Sequence, residues 1–268
     1  ESYARRAVDE LRAGPPTGSR GSNRYVRYLD RALAFDWLHG YPGFDAALKD
    51  AVAADLVAGA EQMLALPSLK DPAQASYHNH TVRELALAVF SLAAVEGHPP
   101  AEARAAPLRA QAWRAFDNLL EQTELVNPDG AYHESTDYMR ITWAPLAMMA
   151  EVRRTTTGED PAARWSAFRN MGTTYLYKVL PDGSEARDDD NEYPHLDARD
   201  NVVLGYAVHR FKDPYAAWLL QQRAWLPAEW ANPVLQFLWN DPAVVPRDPA
   251  TTTETELPRH RHFRGVGH

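Results

Sequence analysis

The sequence predicts an all-α protein of about ten helices arranged in antiparallel hairpins. Three observations predict it. Apolar residues recur at three- and four-residue spacing through most of the chain. Clusters of Gly and Pro interrupt that pattern at intervals. Alternating apolar and polar runs, the mark of half-buried strands, are scarce.

The helical segments run near 2–13, 23–40, 44–66, 80–96, 102–123, 136–157, 161–179, 200–211, 213–224 and 231–240. Gly14-Pro15-Pro16 ends the first. Leu38-His39-Gly40-Tyr41-Pro42-Gly43 turns the second into the third, which stops at Pro67. Asn79 is a good N-cap for the fourth, and Gly97-His98-Pro99-Pro100 breaks it from the fifth. Pro128-Asp129-Gly130 closes the fifth; Ser135 or Thr136 caps the sixth, which ends at Gly158. Asp160-Pro161 and Asp213-Pro214 each read as an N-cap followed by proline in the first turn. Pro181-Asp182-Gly183 marks a turn, with a short hairpin expected near Tyr175–Glu185.

Several helical hairpins in one domain leave a bundle, a solenoid or a closed α/α toroid. No strict repeat is present, which weakens the regular solenoids. Pro242–Pro258 is rich in Pro and Thr and reads as a linker. Phe263, Val266 and the glycine pair Gly265 and Gly267 look like the start of a new domain. The expected division is therefore 1–241 and 242–268.

The 268 residues are 45% hydrophobic and 24% charged, which excludes a disordered chain, a collagen-like repeat or a coiled-coil rod. No apolar run approaches the roughly 18–20 residues of a membrane helix, so no membrane partner is expected. Without cysteine there is no disulfide, thiolate metal site or cysteine nucleophile. A formal charge of −8 argues against nucleic acid as a general partner. The basic residues are mostly arginine, which suits planar recognition of carboxylate or sulfate in a local cleft.

Four stretches carry candidate chemistry. In Tyr77-His78-Asn79-His80, the imidazole of His80 and the guanidinium of Arg83 share a helix face one turn apart. A zinc reading of His78-x-His80 lacks a third ligand at a telling spacing. Asn127–Tyr138 places Tyr132, His133, Glu134, Asp137 and Tyr138 after a turn, with Arg140 and Trp143 on the helix that follows. Loops on rigid scaffolds are where catalytic groups concentrate. Arg140 is expected to lower the pKa of Tyr138. The acidic run around Asp188-Asp189-Asp190 does not match a calcium loop; Asp189 reads as a solvated side chain or as one that holds a cleft histidine or arginine. Tyr25, Tyr28, Trp37, His39 and Tyr41 crowd one hairpin beside Arg20, Arg24, Arg27 and Arg31. Aromatics at helical spacing are usually core, but those near 38–43 are placed to stack on sugar rings.

Together these stretches resemble the heparinase II/III-like polysaccharide lyases, which include heparin, heparan and alginate lyases. Arg31-Ala32-Leu33-Ala34-Phe35-Asp36-Trp37-Leu38 is similar to the family's early toroid helix. Asn79-His80 looks like its Asn-His pair before a long helix. Gly130, Glu134 and Tyr138 match its Gly-x-x-x-Glu-x-x-x-Tyr segment, with about 58 residues between His80 and Tyr138. Arg261–Gly267 looks like the start of its β-sandwich domain.

The resemblance implies an incomplete (α/α) toroid as catalytic domain over 1–241, then a linker and the beginning of a β-sandwich over 242–268. The rest of that domain, with a further catalytic histidine and in some members a divalent metal, is expected outside this chain. No cofactor is expected within it. The implied reaction is β-elimination on a uronic-acid polymer. Asn79 and His80 neutralise the uronate carboxylate, Tyr138 is the Brønsted base and acid, and Glu134 orients a histidine or binds a sugar hydroxyl. Arg140, Arg83 and His80 are the cations that would activate the tyrosine. Arg24, Arg27, Trp37, His39, Tyr41, Arg83, His133, Arg140, Trp143 and Asp189 form the expected substrate-binding set. The implied partners are an anionic polysaccharide, the β domain of the same protein and, as an open assembly, a second copy. The implied location is secreted or periplasmic in a bacterium.

Two other readings stay open. Helical toroids also host glycoside hydrolases, which need two carboxylates about 5–9.5 Å apart; Glu134 or Asp137 with Asp189 is the available pair. A non-catalytic carbohydrate-binding module is the second.

Overall fold

The computed structural model describes residues 2–14, 22–71, 73, 77–180, 184–186, 196, 200–222 and 233–264, with the backbone alone at 22–27 and 233. The described residues are all-α. Eleven helices are present among them, and the sole β feature among them is one antiparallel bridge, Val179 with Glu185. That bridge lies within the short hairpin expected near Tyr175–Glu185: Leu180 N–H donates to Ser184 O at 2.7 Å and Ala186 N–H to Lys178 O at 2.8 Å. Compactness divides the chain within one long helix, into residues 1–120 and 121–268. The segment 242–264, expected to be a linker and domain start, is irregular apart from a 3₁₀ turn at Pro249–Thr251 and belongs to the second unit.

The first unit holds α1 (Ser2–Arg12), α2 (Ser22–Leu38), α3 (Ala46–Leu64), α4 (Asn79–Ala94) and most of α5 (Pro99–Val126). Every residue from Leu85 to Leu92 of α4 is buried. A helix apolar on all sides must lie at the centre, and α4 packs against both α2 and α3. Gly59 of α3 admits the ring of Tyr28 from α2; a Cβ there would lie 2.6 Å from a ring carbon. Arg31 fixes α1 to this pair. Its guanidinium donates to the Leu11 carbonyl at 3.2 Å, satisfying an end-of-helix acceptor, and meets Asp55 of α3 at 3.2 Å. On α5, Arg109 donates to Leu92 O at 3.0 Å and Gln111 to Leu64 O at 3.2 Å.

The second unit holds the last turn of α5, then α6 (Thr136–Thr157), α7 (Pro161–Arg164), α8 (Ser166–Lys178), α9 (Asp200–Phe211), α10 (Pro214–Gln221) and α11 (Pro233–Leu238). Here α9 is central: Asp200 through Val208 are all buried, and it packs on α6, α8, α10 and α11. Gly172 lets α8 approach α9 closely; a Cβ there would sit 3.0 Å from Ala207 Cβ. Tyr206 of α9 donates to Glu151 of α6 at 3.0 Å, and Arg210 bridges Glu151 at 2.9 Å and Asp160 at 2.5 Å.

The single helix expected over 161–179 is two. Trp165 is extended (φ −99°, ψ 127°) and breaks it. Glu124 of α5 supplies the reason. Its carboxylate accepts the Ser166 hydroxyl and, at 3.1 Å, the Ala167 N–H, capping α8 from another helix.

Candidate functional site

Each unit presents sequence-flagged polar residues at the start of a helix. In the first unit the helix is α4. Its N-cap is His78, not the expected Asn79: the His78 Nδ1 accepts the His80 N–H at 3.2 Å. An accepting Nδ1 puts the proton of His78 on Nε2. Asn79 is instead the first helical residue and is 3% exposed. The rings of His78 and His80 stack, with centroids 5.4 Å apart and planes 17° apart. Arg83, one turn on, places its guanidinium 3.4 Å from His80 Nδ1. Arginine has only donors, so that nitrogen is an acceptor and the proton of His80 also rests on Nε2. The start of α4 thus joins an amide, an imidazole and a guanidinium to the positive end of a helix dipole.

The α2–α3 turn carries the predicted aromatic residues. Trp37 is 56% exposed, His39 is exposed and Tyr41 half-buried. The Tyr41 ring lies on Gly43, where a Cβ would meet it at 2.5 Å. His39 sits edge-on to Phe35 and His98, at 5.5 and 5.8 Å between centroids, and His98 Nε2 is 2.9 Å from Asp50. Arg24 and Arg27 fall in the first turns of α2, where the backbone alone is described. Asp189 lies outside the described residues.

In the second unit the loop 127–135 delivers the chain into α6. Asn127 O accepts the Gly130 N–H at 3.0 Å, and Gly130 turns with φ +83°. The loop is fixed to α8 by the Asn170 amide donating to Pro128 O at 2.8 Å and by the Thr174 hydroxyl donating to Asp129 O at 3.1 Å. Its other side meets the C-terminal segment, where the Arg264 N–H donates to the Asp129 carboxylate at 2.6 Å. On this platform the buried Tyr132 hydroxyl donates to Glu134, and the exposed His133 ring lies 4.7 Å from that of Tyr132. Glu134 and Tyr138 are both half-buried.

The step from loop to helix is strained. Ser135 has φ 97° and ψ 171°, a region that is essentially glycine's, and its side chain makes no capping bond. The side-chain cap expected from Ser135 is therefore absent, and Thr136 is the first helical residue.

Two of the expected substrate contacts lie in the buried interior of this unit. Trp143 is completely buried, packed edge-on to Phe168 at 5.7 Å. Arg140 is 1% exposed. Its guanidinium pairs with Asp137 one turn back and with Asp200, the first residue of α9, at 3.2 Å. Residues two apart on a helix face opposite ways, so Arg140 points inward while Tyr138 reaches the surface. Two carboxylates already balance its charge, so its guanidinium is engaged inside the protein.

The residues that sequence reasoning missed are the partners in this buried cluster. Tyr175 of α8 lies beside Asp200; burial first, then that carboxylate, push its phenol well above the usual value, so it stays neutral. An aspartate at the start of a helix is ordinary helix chemistry, so nothing in the sequence marks Asp200. Among the described residues no three His, Asp or Glu side chains are grouped to hold a metal. No helix among them is long and apolar enough to cross a membrane. Comparison of the sequence with protein-family models and with curated proteins finds no match.

Proposed function

We propose that this chain is the helical catalytic portion of a β-eliminating lyase acting on a uronic-acid polymer, with its hairpins arranged as an incomplete (α/α) toroid. The observation that carries the reading is the start of α4, where Asn79, His80 and Arg83 gather hydrogen-bond donors at a positive helix end. Such a set suits a carboxylate on which negative charge grows.

In this reading a base removes the C5 proton, which lies α to that carboxylate. The C5–H electrons become the C4=C5 double bond, the C4–O bond breaks, and the departing oxygen takes a proton. Asn79 and His80 stabilise the charge on the carboxylate. Tyr138, half-exposed in the first turn of α6, takes the C5 proton, donates to the leaving oxygen, or both. Glu134, holding the Tyr132 hydroxyl, binds or orients beside it. Trp37, His39 and Tyr41 offer ring faces to sugars. A divalent metal and a further histidine from a β domain of the same protein belong to this proposal, as does a secreted or periplasmic location beside an extracellular polymer.

The test is incubation of the full-length protein with a panel of uronate polymers while recording the near-ultraviolet band of unsaturated uronate. A rise is expected, cut by about 10²–10⁴-fold in Tyr138→Phe. Reducing ends without that band would replace the lyase by a hydrolase built on carboxylates. Binding with neither signal, unaffected by Tyr138→Phe, would make this a carbohydrate-binding module.

A further inference from the structure

We propose that Asp200 is a positioning residue for Tyr138: through Arg140 it locks the first turn of α6, the turn that carries the tyrosine. The inference rests on the lyase reading for its catalytic consequence and on geometry alone for the lock.

The geometry has three parts. Arg140 folds back on its own helix start, its Nε donating to the Asp137 carbonyl at 3.3 Å and its Nη2 to the Asp137 carboxylate. The remaining arm, Nη1, crosses to Asp200 Oδ2 at 3.2 Å, and neither side chain has any solvent exposure. Asp200 sits on α9, the buried central helix of the second unit, so the first turn of α6 is tied to the element that packs against α6, α8, α10 and α11. An ion pair without water is screened little and is directional, since the planar guanidinium meets two carboxylates at fixed angles.

The lock has something to hold. Immediately before α6, Ser135 occupies a backbone region that only glycine adopts without cost. A strained residue persists where its surroundings over-determine it. The Asp137–Arg140–Asp200 chain pins the turn on the helical side, while α8 pins loop 127–135 on the other. Tyr138 lies between those two anchors. Without the Asp200 arm, Ser135 can relax, and the tyrosine turns with the helix start.

The experiment uses the full-length protein with Asp200→Asn and Asp200→Glu, and Tyr206→Phe as a control that removes a different α9-to-α6 bond. Hydrogen exchange of the segment 132–142 reads the lock directly. It is expected to speed at least about tenfold in Asp200→Asn, less in Asp200→Glu, and not in Tyr206→Phe. On a polymer turned over by wild type, Asp200→Asn is expected to lower kcat by about 10–100-fold with KM within about twofold, because displacement of a catalytic group by an ångström costs about that much. Asp200→Glu, which keeps the charge on a longer arm, recovers part of the rate and carries the test should Asp200→Asn not fold. Unchanged exchange in both Asp200 variants overturns the lock. Faster exchange with unchanged kcat, or an equal loss of kcat in Tyr206→Phe, overturns the positioning role. A wild-type chain that forms no unsaturated product overturns the lyase reading and the catalytic half of this inference, while the exchange result still decides the lock.

Discussion

Gly130 rests directly on the backbone of Asn170: a Cβ at residue 130 would lie 2.5 Å from the Asn170 carbonyl carbon and 2.7 Å from its oxygen. The neighbour is main chain inside α8 and has no room to yield. Gly130 also has φ +83°, which L side chains rarely adopt. Gly130→Ala is therefore expected to cost about 2–5 kcal/mol, from left-handed strain plus overpacking. Gly158 is the control. It has φ +79° at the end of α6, with nothing within 4 Å of its virtual Cβ. Gly158→Ala is expected to cost only about 1–2 kcal/mol, from strain alone. Urea midpoints of the two variants measure the difference, and equal losses would refute close packing at Gly130.

Ser135→Gly is expected to stabilise the protein. The φ 97°, ψ 171° backbone of Ser135 costs about 1–3 kcal/mol in a residue with a Cβ. Glycine removes that cost and returns about 0.5–1 kcal/mol in unfolded-state entropy. The Ser135 hydroxyl is buried without a partner among the described residues, so nothing is lost with it. The net gain is about 1 kcal/mol, read as a higher urea midpoint with the slope unchanged. A lower midpoint would mean that the serine side chain contributes more than its backbone costs.

These positions separate what the sequence reveals from what it hides. Helices α1, α6 and α9 end within a residue of where periodicity and breakers place them, because their signals are local: Gly14, Gly158 and the Lys212-Asp213-Pro214 stop. The break at Trp165 is illegible because its cause is Glu124, which caps α8 from a different helix. The cap of α4 is misplaced by one residue because asparagine is the better statistical cap, whereas His78 has the extended backbone (φ −144°, ψ 145°) and the accepting nitrogen. Arg140 is the instructive case. Its spacing from Tyr138 suggests a neighbour, but helical geometry puts the two on opposite faces, and the partner that fixes it, Asp200, lies far along the chain.

The C-terminal segment is held where Asp129 accepts the Arg264 N–H at 2.6 Å; the other Asp129 oxygen accepts from Ala131 N–H at 3.3 Å. A hydrogen bond to a charged acceptor contributes about 1.5–3 kcal/mol. Asp129→Ala is thus expected to raise the undocked population around Arg264 by about tenfold or more. Trypsin cleavage after Arg264 reports it and accelerates to that extent. Asp129→Asn keeps an acceptor and stays near wild type. Cleavage upstream, after Arg259, changes less, because the Tyr177 hydroxyl still holds the Pro258 carbonyl and Phe263 still packs edge-on to Tyr177 at 6.1 Å.

Acid unfolding has a named contributor in Asp160. One oxygen of its carboxylate accepts the Ala163 N–H at 3.1 Å and caps α7; the other meets Arg210 of α9 at 2.5 Å. Burial pushes its pKa up, but the Arg210 hydrogen bond, the Ala163 N–H and the charges of Arg210 and Arg154 outweigh that and hold it below the usual carboxylate value. The unfolded value is about 3.9. A group whose folded pKa is depressed contributes stability that is fully present above its unfolded pKa and lost as pH falls through the folded one. The excess stability of wild type over Asp160→Asn is therefore expected to be largest above about pH 5 and to shrink steadily toward pH 2. Asp213 has the opposite sign. Burial raises its pKa against the caps it provides to Tyr215 and Ala216 N–H, so the stability of wild type relative to Asp213→Asn grows as pH falls through that raised value. Urea midpoints of the three proteins at pH 6, 4.5 and 3 separate the two. A wild-type advantage over Asp160→Asn that does not change with pH would mean that Asp160 acts through its cap geometry alone, and that its pairing with Arg210 adds nothing to the fold.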